Sequence, residues 1–349
     1  MTLQDANNNG EPCRLCGQTA KTPVSQKDRH GNALETALCG GCGVISNCPI
    51  PNDEELATFY RQKYRKEYKG LSTPRMRQVW RNFQRENAHV LVNWEIYESR
   101  KNCLDLGSGS GEFMFLLSQL GIKCLGIEPD EDYSAYCRDR LGLDIRTQTL
   151  EETNFADGSF DFIRLSHVLE HMPDPVRSLK TLQRWLSDDG VLYLETPNIE
   201  AEAERKMRGS MFHFGHIFNF NPFTLRLAAR LAGLEESPRC ASRLGGTTGT
   251  FFVRSSANTS ILAGAASNVA RVKSAMEGHN RRVIPKPTNE SAVNRLLRMV
   301  CLRLLEFFAS RKFSSHLAIA EHFGGRIQAA IAIGGGGRER GDEAADEYG

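Results

Sequence analysis

The sequence Leu104-Asp105-Leu106-Gly107-Ser108-Gly109-Ser110-Gly111 decides the fold, because it joins a short apolar segment to a helical one. Residues 102–106 (NCLDL) have the composition of a buried strand. The glycines predict a tight turn that lets a ligand approach the backbone at the N-terminus of the next helix. Glu128 ends the following predicted strand, 17 residues after Gly111, where an acid can bind both hydroxyls of a ribose. Dinucleotide-binding folds would contain similar parts.

Predicted strands and helices alternate around this turn. Strands are expected at 102–106, 123–128, 143–147, 160–165, 191–195 and 250–254, and helices near 112–120, 131–141, 175–186 and 222–232. Asp174 and Pro175 are typical of a helix start, as N-cap and first-turn residue. This alternation predicts a parallel α/β sheet.

Three details go beyond a general nucleotide-binding turn. Asp105 precedes the glycines, the loop is GSGSG instead of GxGxxG, and Pro129-Asp130 follows the acid. DLGSGSGEF at 105–113 resembles motif I of class I S-adenosylmethionine-dependent methyltransferases, and GIEPD at 126–130 resembles their second-strand acid. Residues 155–175 and 186–198 are similar to the fourth- and fifth-strand region of the branch that contains ubiquinone-pathway O-methyltransferases. The resemblance covers residues 102–255.

The resemblance implies a Rossmann-like methyltransferase sheet and a position for each part of S-adenosylmethionine. Asp105, Gly107 and Gly109 would hold the methionine end, and Glu128 would hold the ribose. Leu150 would lie beside the adenine, and Ser166 and His167 would line the mouth shared by cofactor and substrate. The predicted cofactor-binding residues are Asp105, Gly107, Ser108, Gly109, Gly111, Glu128, Pro129, Leu150, Ser166 and His167.

Four of the ten cysteines form two matched pairs, Cys13-x-x-Cys16 and Cys39-x-x-Cys42. Two such turns supply the four thiolates of a tetrahedral structural zinc site, and redox CxxC motifs rarely occur as two matched pairs. A glycine after the second cysteine of each pair permits the tight backbone turn. The sequence therefore predicts structural Zn²⁺ and reduced thiols elsewhere, which is typical of the cytoplasm. The first ten residues also lack the apolar segment of a secretory signal.

The expected organisation is an N-terminal module, a methyltransferase domain and a C-terminal extension. We predict a four-cysteine module with a disordered leader at 1–48, a helical linker or lid at 49–101, the methyltransferase domain at 102–255, and a helical extension with a flexible glycine-rich and acidic tail at 256–349. The front module resembles cysteine ribbons that precede the same domain in bacterial enzymes modifying sugars, cell-surface glycans or secondary metabolites. Tyr60, Tyr64 and Tyr68 lie at helical spacing and would either cover the acceptor or pack.

Four histidines, His167, His171, His213 and His216, suggest the chemistry of transfer. A hydroxyl acceptor must lose its proton, so His171 or His216 is a candidate general base. Small-RNA 2′-O-methyltransferases of related sequence carry a divalent metal on an ExxEH motif, and Glu170, His171 and His216 are the corresponding candidates here. His167 replaces the first glutamate of that motif, which disfavours magnesium. A purely structural turn at Glu170 and His171 is the remaining alternative.

Charge is uneven along the chain although the net charge is only +2. Residues 61–101 carry +7, residues 102–200 carry −10, and residues 270–313 carry +7. The acidic central segment disfavours binding of nucleic acid near the active site. The basic flanking segments could still bind an anionic partner. Residues 295–313 have the pattern of an amphipathic basic helix, which would pack on the domain or a dimer partner, or bind an anionic membrane surface, a glycolipid or nucleic acid. The expected location is the cytoplasm, with membrane association at its inner face as an alternative.

These observations rank three functions. The first is methyl transfer to an oxygen of a small molecule or a saccharide, since the further domain of sugar C-methyltransferases with this ribbon is not found after residue 255. The second is methylation of RNA, with the ribbon and the basic helix as the RNA-binding surface. The third is a non-catalytic protein that binds the cofactor.

Overall fold

The computed structural model describes residues 11–59, 73–206, 211–237, 243–244, 247–255, 262–281 and 292–334. Two compact units divide the chain. The first unit comprises residues 1–70, 155–159 and 163–289, and the second comprises residues 71–154, 160–162 and 290–349. The predicted leader, the glycine-rich and acidic tail, and the three tyrosines at 60, 64 and 68 lie outside the described residues.

The second unit contains the strand that leads into the glycine turn. Strand β4 (Asn102–Leu106) pairs in parallel with β5 (Lys123–Ile127), which pairs in parallel with β6 (Ile145–Arg146). Helices α4 (Glu112–Gln119) and α5 (Glu131–Leu141) connect these strands. The carboxylate of Asp130 caps α5 by accepting a hydrogen bond from the backbone of Tyr133. This parallel arrangement is the predicted one.

The second unit also contains helices that pack mainly on one another and on α4. They are α2 (Met76–Val92), α3 (Trp94–Tyr97), α10 (Ala292–Ser310) and α11 (His316–Gly334). Helix α11 packs on α2 and α4, where the Phe323 ring lies 4.9 Å from Trp80 and stacks 5.7 Å from Phe83. In the part of the chain that the structure describes, no helix combines the length and the apolar content needed to cross a membrane.

The four-cysteine module opens the first unit as a small antiparallel sheet. Strands β1 (Lys21–Lys27), β2 (Ala33–Cys39) and β3 (Ile45–Asn47) follow one another. Strand β9 (Phe218–Asn219), far away in sequence, extends this sheet by pairing with β3. Helix α1 (Asp53–Phe59) comes next, and its N-terminus is capped by reciprocal hydrogen bonds between Asn52 and Glu55.

The first unit also holds strands whose direction differs from the prediction. Its strand order is β10-β12-β8-β7, with β7 at Phe160–Ser166, β8 at Leu186–Pro197, β10 at Leu234–Glu236 and β12 at Thr247–Arg254. Strand β12 runs antiparallel to both β8 and β10, so the predicted parallel pairing does not extend to this strand. The link from β10 to β12 is too short for the helical crossover that parallel neighbours require. In the second unit the order is β7-β4-β5-β6, because residues 160–162 of β7 belong there.

Helices α6 (Pro175–Trp185), α7 (Ile199–Arg205), α8 (Pro222–Leu231) and α9 (Ala265–Arg281) complete the first unit, and β11 (Arg243–Leu244) pairs with β12. The predicted cap at Asp174 is confirmed, since its carboxylate accepts from the backbone of Arg177. A helical extension was predicted from residue 256 onward, but the position of α9 within it was not, because two of the residues on its buried face, Asn268 and His279, are polar. It packs on β2 and α7.

Candidate active site

The four paired cysteines converge in the first unit. The sulfur atoms of Cys13 and Cys42 lie 3.8 Å apart and those of Cys16 and Cys39 lie 3.4 Å apart, with all four within 4.8 Å of one another. Backbone amides of Leu15 and Gly41 point at the sulfur atoms of Cys13 and Cys39 at 3.4 and 3.3 Å, respectively. The described cysteines form no disulfide. Four clustered thiols with amide donors fit a tetrahedral zinc ion.

The positions after each cysteine pair have the conformation that the sequence predicts. Gly17 and Gly43 have φ of 75° and 83°, the left-handed region that favours glycine. Burial raises the pKa of the Cys16 thiol to about 12, and hydrogen bonding with Cys13 and Cys42 lowers the pKa of Cys39. A bound cation would stabilise all four groups as thiolates.

The glycine turn lies in the second unit, between β4 and α4. Gly107, Gly109 and Gly111 have φ of 69°, 55° and 78°, so all three use backbone conformations that other residues avoid. A Cβ on Gly111 would lie 2.6 Å from Leu143 Cδ1, whereas a Cβ on Gly109 would meet no protein atom within 4 Å. The turn is therefore packed at its third glycine and open at its second.

Glu128, the acid predicted to bind the ribose, is hydrogen-bonded to this turn. Glu128 Oε2 accepts a hydrogen bond from the backbone amide of Gly109 at 2.8 Å, and its Oε1 accepts from the backbone of Asp130 at 3.0 Å. These bonds fix the carboxylate beside the open face of the turn. Asp105 is fully buried at the end of β4. Among the other predicted cofactor residues of this unit, Ser108 and Leu150 are buried and Pro129 adjoins Glu128.

Glu112, which the sequence analysis did not single out, supports the start of α4. Its carboxylate is buried and accepts hydrogen bonds from the Ser110 hydroxyl at 2.7 and 2.8 Å and from the Asn82 amide at 3.1 Å. Burial raises the pKa of Glu112. Its position directly after the last glycine, at the N-terminus of a predicted helix, is the feature of the sequence that could have indicated this role.

The second group of predicted residues lies in the first unit, after β7. His167 has a φ of 58°, which is unusual for a residue with a side chain, and its backbone amide donates to the backbone oxygen of Glu195 at 2.8 Å. A single 3₁₀ turn, Leu169–His171, follows. It places Glu170 Oε1 3.5 Å from His167 Nδ1 and 4.0 Å from His171 Nε2. Glu170 is almost completely buried.

The orientation of His171 is set by one short hydrogen bond. Its Nδ1 lies 2.6 Å from the backbone oxygen of Gly215. A carbonyl can only accept, so Nδ1 carries the hydrogen and Nε2 keeps its lone pair in the neutral ring. Burial lowers the pKa of His171, which favours this neutral form at pH 7. The nitrogen with the lone pair, Nε2, lies 4.0 Å from Glu170 Oε1, and in this tautomer it is the atom that would accept a proton or bind a metal.

Two further histidines lie beside His171. The His216 ring centroid is 4.9 Å from that of His171 and 3.9 Å from that of His213. The backbone amide of Gly215 donates to His213 Nδ1 at 3.1 Å. Burial lowers the pKa of His213 to about 3 and that of His216 well below its usual value. The cluster is therefore neutral at physiological pH.

Glu170, His171 and His216 form a potential metal-binding group. Each offers one ligand atom, and these atoms lie within 4.8 Å of one another. Both carboxylate oxygens of Glu170 have no hydrogen-bond partner within the described residues, and a buried carboxylate without such partners is costly. The carbonyl of Gly215 behind His171 matches the usual second contact of a metal-binding histidine. A divalent ion fits this donor set.

Comparison with known proteins identifies the domain that carries these residues. Residues 79–236 match the family described as a methyltransferase domain. The chain contains a class I S-adenosylmethionine-dependent methyltransferase domain. This match confirms the family that the four sequence blocks resemble, and the fold class predicted with it.

Relatives of the methyltransferase domain have different named activities. A tRNA U34 carboxymethyltransferase of Nautilia profundicola is 30% identical over 131 residues, which are 36% of this chain and 43% of the relative. A ubiquinone biosynthesis O-methyltransferase of Actinobacillus pleuropneumoniae is 32% identical over 113 residues, 30% of this chain and 48% of the relative. The chain thus spans less than half the length of these curated relatives.

Among solved structures, the methyltransferase domain is similar to the Burkholderia thailandensis 1,6-didemethyltoxoflavin-N1-methyltransferase with bound 1,6-didemethyltoxoflavin and S-adenosylhomocysteine. The sequence identity is 15% and the TM-score is 0.45, and the match covers 64% of this chain and 96% of that one.

The four-cysteine module contacts the segment of the methyltransferase domain that carries His213 and His216. The backbone amides of Arg29 and Asn47 donate to the backbone oxygens of Phe212 and Ile217 at 2.7 and 2.9 Å, respectively. The Asn47 side chain donates to the backbone oxygen of Phe214 at 2.9 Å. Sequence reasoning missed this connection, because no local pattern links residues 47 and 214.

Glu195 is a second acid that sequence reasoning missed in the methyltransferase domain. It is buried near the end of β8, and its Oε2 accepts hydrogen bonds from the hydroxyls of Ser166 and Tyr193, both at 3.1 Å. Ser166 is one of the residues predicted at the cofactor and substrate mouth. Its orientation is therefore set by Glu195, and the only signal was an acid within the LETPN segment at 194–198.

Proposed function

We propose that this chain is an S-adenosylmethionine-dependent methyltransferase that methylates a hydroxyl group of a small molecule or a saccharide. The observation that carries the cofactor part of the proposal is the hydrogen bond from the Gly109 amide to Glu128, within a turn whose middle glycine faces open space. Asp105 and the turn would hold the methionine end of the cofactor, and Glu128 would hold its ribose. The cofactor supplies a reactive sulfonium methyl, so the protein mainly has to align the acceptor.

Removal of the acceptor proton is assigned to His171. Its Nδ1 donates to the backbone oxygen of Gly215, so Nε2 is the nitrogen that carries the lone pair in the neutral ring. The adjacent Glu170 carboxylate, 4.0 Å away, stabilises the imidazolium that forms when Nε2 takes the proton. A positioned base of this kind contributes about 10²–10⁴-fold to a rate. His216 contacts His171 and limits its access to water.

A divalent metal on Glu170, His171 and His216 is the alternative way to activate the hydroxyl, since a bound cation lowers its pKa. Two imidazoles and one carboxylate favour a transition metal such as Zn²⁺ over Mg²⁺. The two versions differ in a measurable way. Protein treated with a chelator until only about one equivalent of zinc remains, that of the four cysteines, retains activity if His171 acts as a base, and regains it only with added metal if the ion is required.

We also propose a structural zinc ion on Cys13, Cys16, Cys39 and Cys42, supported by their converging sulfur atoms. Elemental analysis of protein purified without added metal is expected to give about one equivalent of zinc per chain, or two if the histidine cluster also binds zinc. Cys39→Ser should lose one equivalent, and Cys124→Ser, at a half-buried cysteine outside the cluster, should lose none. Equal zinc in the Cys39→Ser variant and the parent protein contradicts the assignment.

Methylation of RNA is a second candidate, favoured by the relative named as a tRNA U34 carboxymethyltransferase. The test uses S-adenosylmethionine labelled in its methyl group, incubated with the protein and with fractions of a cell extract. Label in small-molecule or glycan fractions supports the first proposal, and label in RNA overturns it. Cofactor binding without label in any fraction supports a non-catalytic role instead. Asp105→Ala should abolish binding of S-adenosylhomocysteine in calorimetry.

A further inference from the structure

Helix α10 exposes a continuous row of large apolar side chains. Leu305 and Phe308 are 65% and 61% exposed, and Leu304, Phe307 and Val300 are between 41% and 49% exposed. With 100° per residue in an α-helix, these five positions fall on one half of the helix. Surface helices usually turn such residues towards the core.

The opposite side of α10 faces its own unit. Glu306 accepts two hydrogen bonds from the Arg81 guanidinium on α2, at 2.7 and 2.6 Å, and Ser310 is buried. Glu306 and Ser310 therefore lie on the side of α10 that is held against α2, and the five exposed apolar side chains lie on the side that faces solvent. A helix that serves only to cover the domain would turn such side chains inward.

The exposed charged side chains described on α10 and directly after it are basic. Arg303, Arg311 and Lys312 are exposed, and the Arg311 guanidinium lies 4.9 Å from the ring of Phe307. Within residues 292–312, Glu306 is the sole acidic residue in the sequence, and it is paired with Arg81. Exposed aromatic and aliphatic side chains beside cations match the composition of a helix that lies in a membrane interface.

We propose that α10 docks on the surface of a bilayer containing anionic lipids. The apolar row, defined as Val300, Leu304, Leu305, Phe307 and Phe308, enters the boundary between headgroups and acyl chains. The three cations bind the phosphate groups above it, which adds an electrostatic attraction that weakens with salt. The helix lies on the membrane without crossing it.

The test is flotation of the full chain with lipid vesicles. Vesicles of phosphatidylcholine containing about 30% of the anionic lipid phosphatidylglycerol should carry the protein, and vesicles of phosphatidylcholine alone should carry at least about tenfold less. Leu304→Ser combined with Phe308→Ser should reduce binding to the anionic vesicles by a similar factor. Val92→Ser is the matched control, since Val92 is 69% exposed outside the apolar row and its replacement should leave binding unchanged.

Charge reversal gives an independent readout. Arg303→Glu with Arg311→Glu should abolish the preference for anionic vesicles, and unchanged thermal unfolding would show that the fold persists. Three results overturn the proposal: no flotation with either vesicle, equal flotation with both, or a dimer in sedimentation velocity that Leu304→Ser with Phe308→Ser converts to a monomer. The last result would assign the apolar row to a second copy of the chain.

Discussion

The side-chain amide of Asn47 donates a hydrogen bond to the backbone oxygen of Phe214 at 2.9 Å. Asn47 ends the last strand of the four-cysteine module, and Phe214 lies between His213 and the glycine that holds His171. Strand β3, which ends at Asn47, pairs with β9, which begins four residues after Phe214. The module therefore supports the histidine cluster and is part of the architecture of the candidate site.

Replacement of Asn47 by alanine should lower kcat about tenfold, because a small displacement of the Phe214 segment moves His216 and the carbonyl that orients His171. The affinity for S-adenosylhomocysteine should not change, since the bond between Gly109 and Glu128 does not involve the Phe214 segment. Asn93→Ala is the matched control, because the Asn93 amide also donates to a backbone oxygen, that of His89. Equal kcat in both variants would contradict a positioning role for Asn47.

Replacement of Gly109 by alanine should weaken cofactor binding by at least about tenfold, because the added methyl group enters the space that the cofactor requires. The fold should persist, since the new Cβ meets no protein atom within 4 Å and the left-handed backbone costs about 1–2 kcal/mol. Gly121→Ala carries the same strain, with φ of 80° and open surroundings, at a turn remote from the site. Calorimetry with S-adenosylhomocysteine and thermal unfolding separate the two effects.

Replacement of Glu170 by glutamine should reduce kcat about 10²-fold without lowering the midpoint of thermal unfolding. The substitution removes a charge that has no hydrogen-bond partner within the described residues, and burying such a charge destabilises the folded state. It also removes the carboxylate needed to stabilise the His171 imidazolium or to bind a metal. A variant that is both fully active and less stable would assign Glu170 a structural role instead.

The pH dependence of stability should contain a contribution from Glu112. Burial raises the pKa of this carboxyl in the folded protein, so the unfolded chain releases its proton first as pH rises. Stability from this group is complete below the unfolded pKa of about 4.3 and falls between that value and the folded pKa, with a slope of at most about 1.4 kcal/mol per pH unit. Glu112→Gln should flatten the unfolding midpoint across this range. A steeper fall in the variant would be inconsistent with the sign of the shift.

Local sequence was sufficient to predict those features that are formed by residues close together in the chain. The strand before Gly107, the three glycines, Glu128 and the cap at Asp174 all follow rules that operate over a few positions. The cysteine pairs are of the same kind, because their spacing alone favours one tetrahedral site. The methyltransferase fold was predictable for this reason, and the family match at residues 79–236 confirms it.

The tertiary structure decided which distant residues meet. The His171 and Gly215 bond joins positions 44 residues apart, and the Asn47 and Phe214 bond joins positions 167 residues apart. Helix α9 and the outward side of α10 depend in the same way on what packs beside them. Periodicity and propensity describe a segment by itself, whereas the partner of a buried polar group is set by the packing of the whole unit. The sequence therefore determined the methyltransferase family of the domain, and only the folded chain determined how its histidines are held.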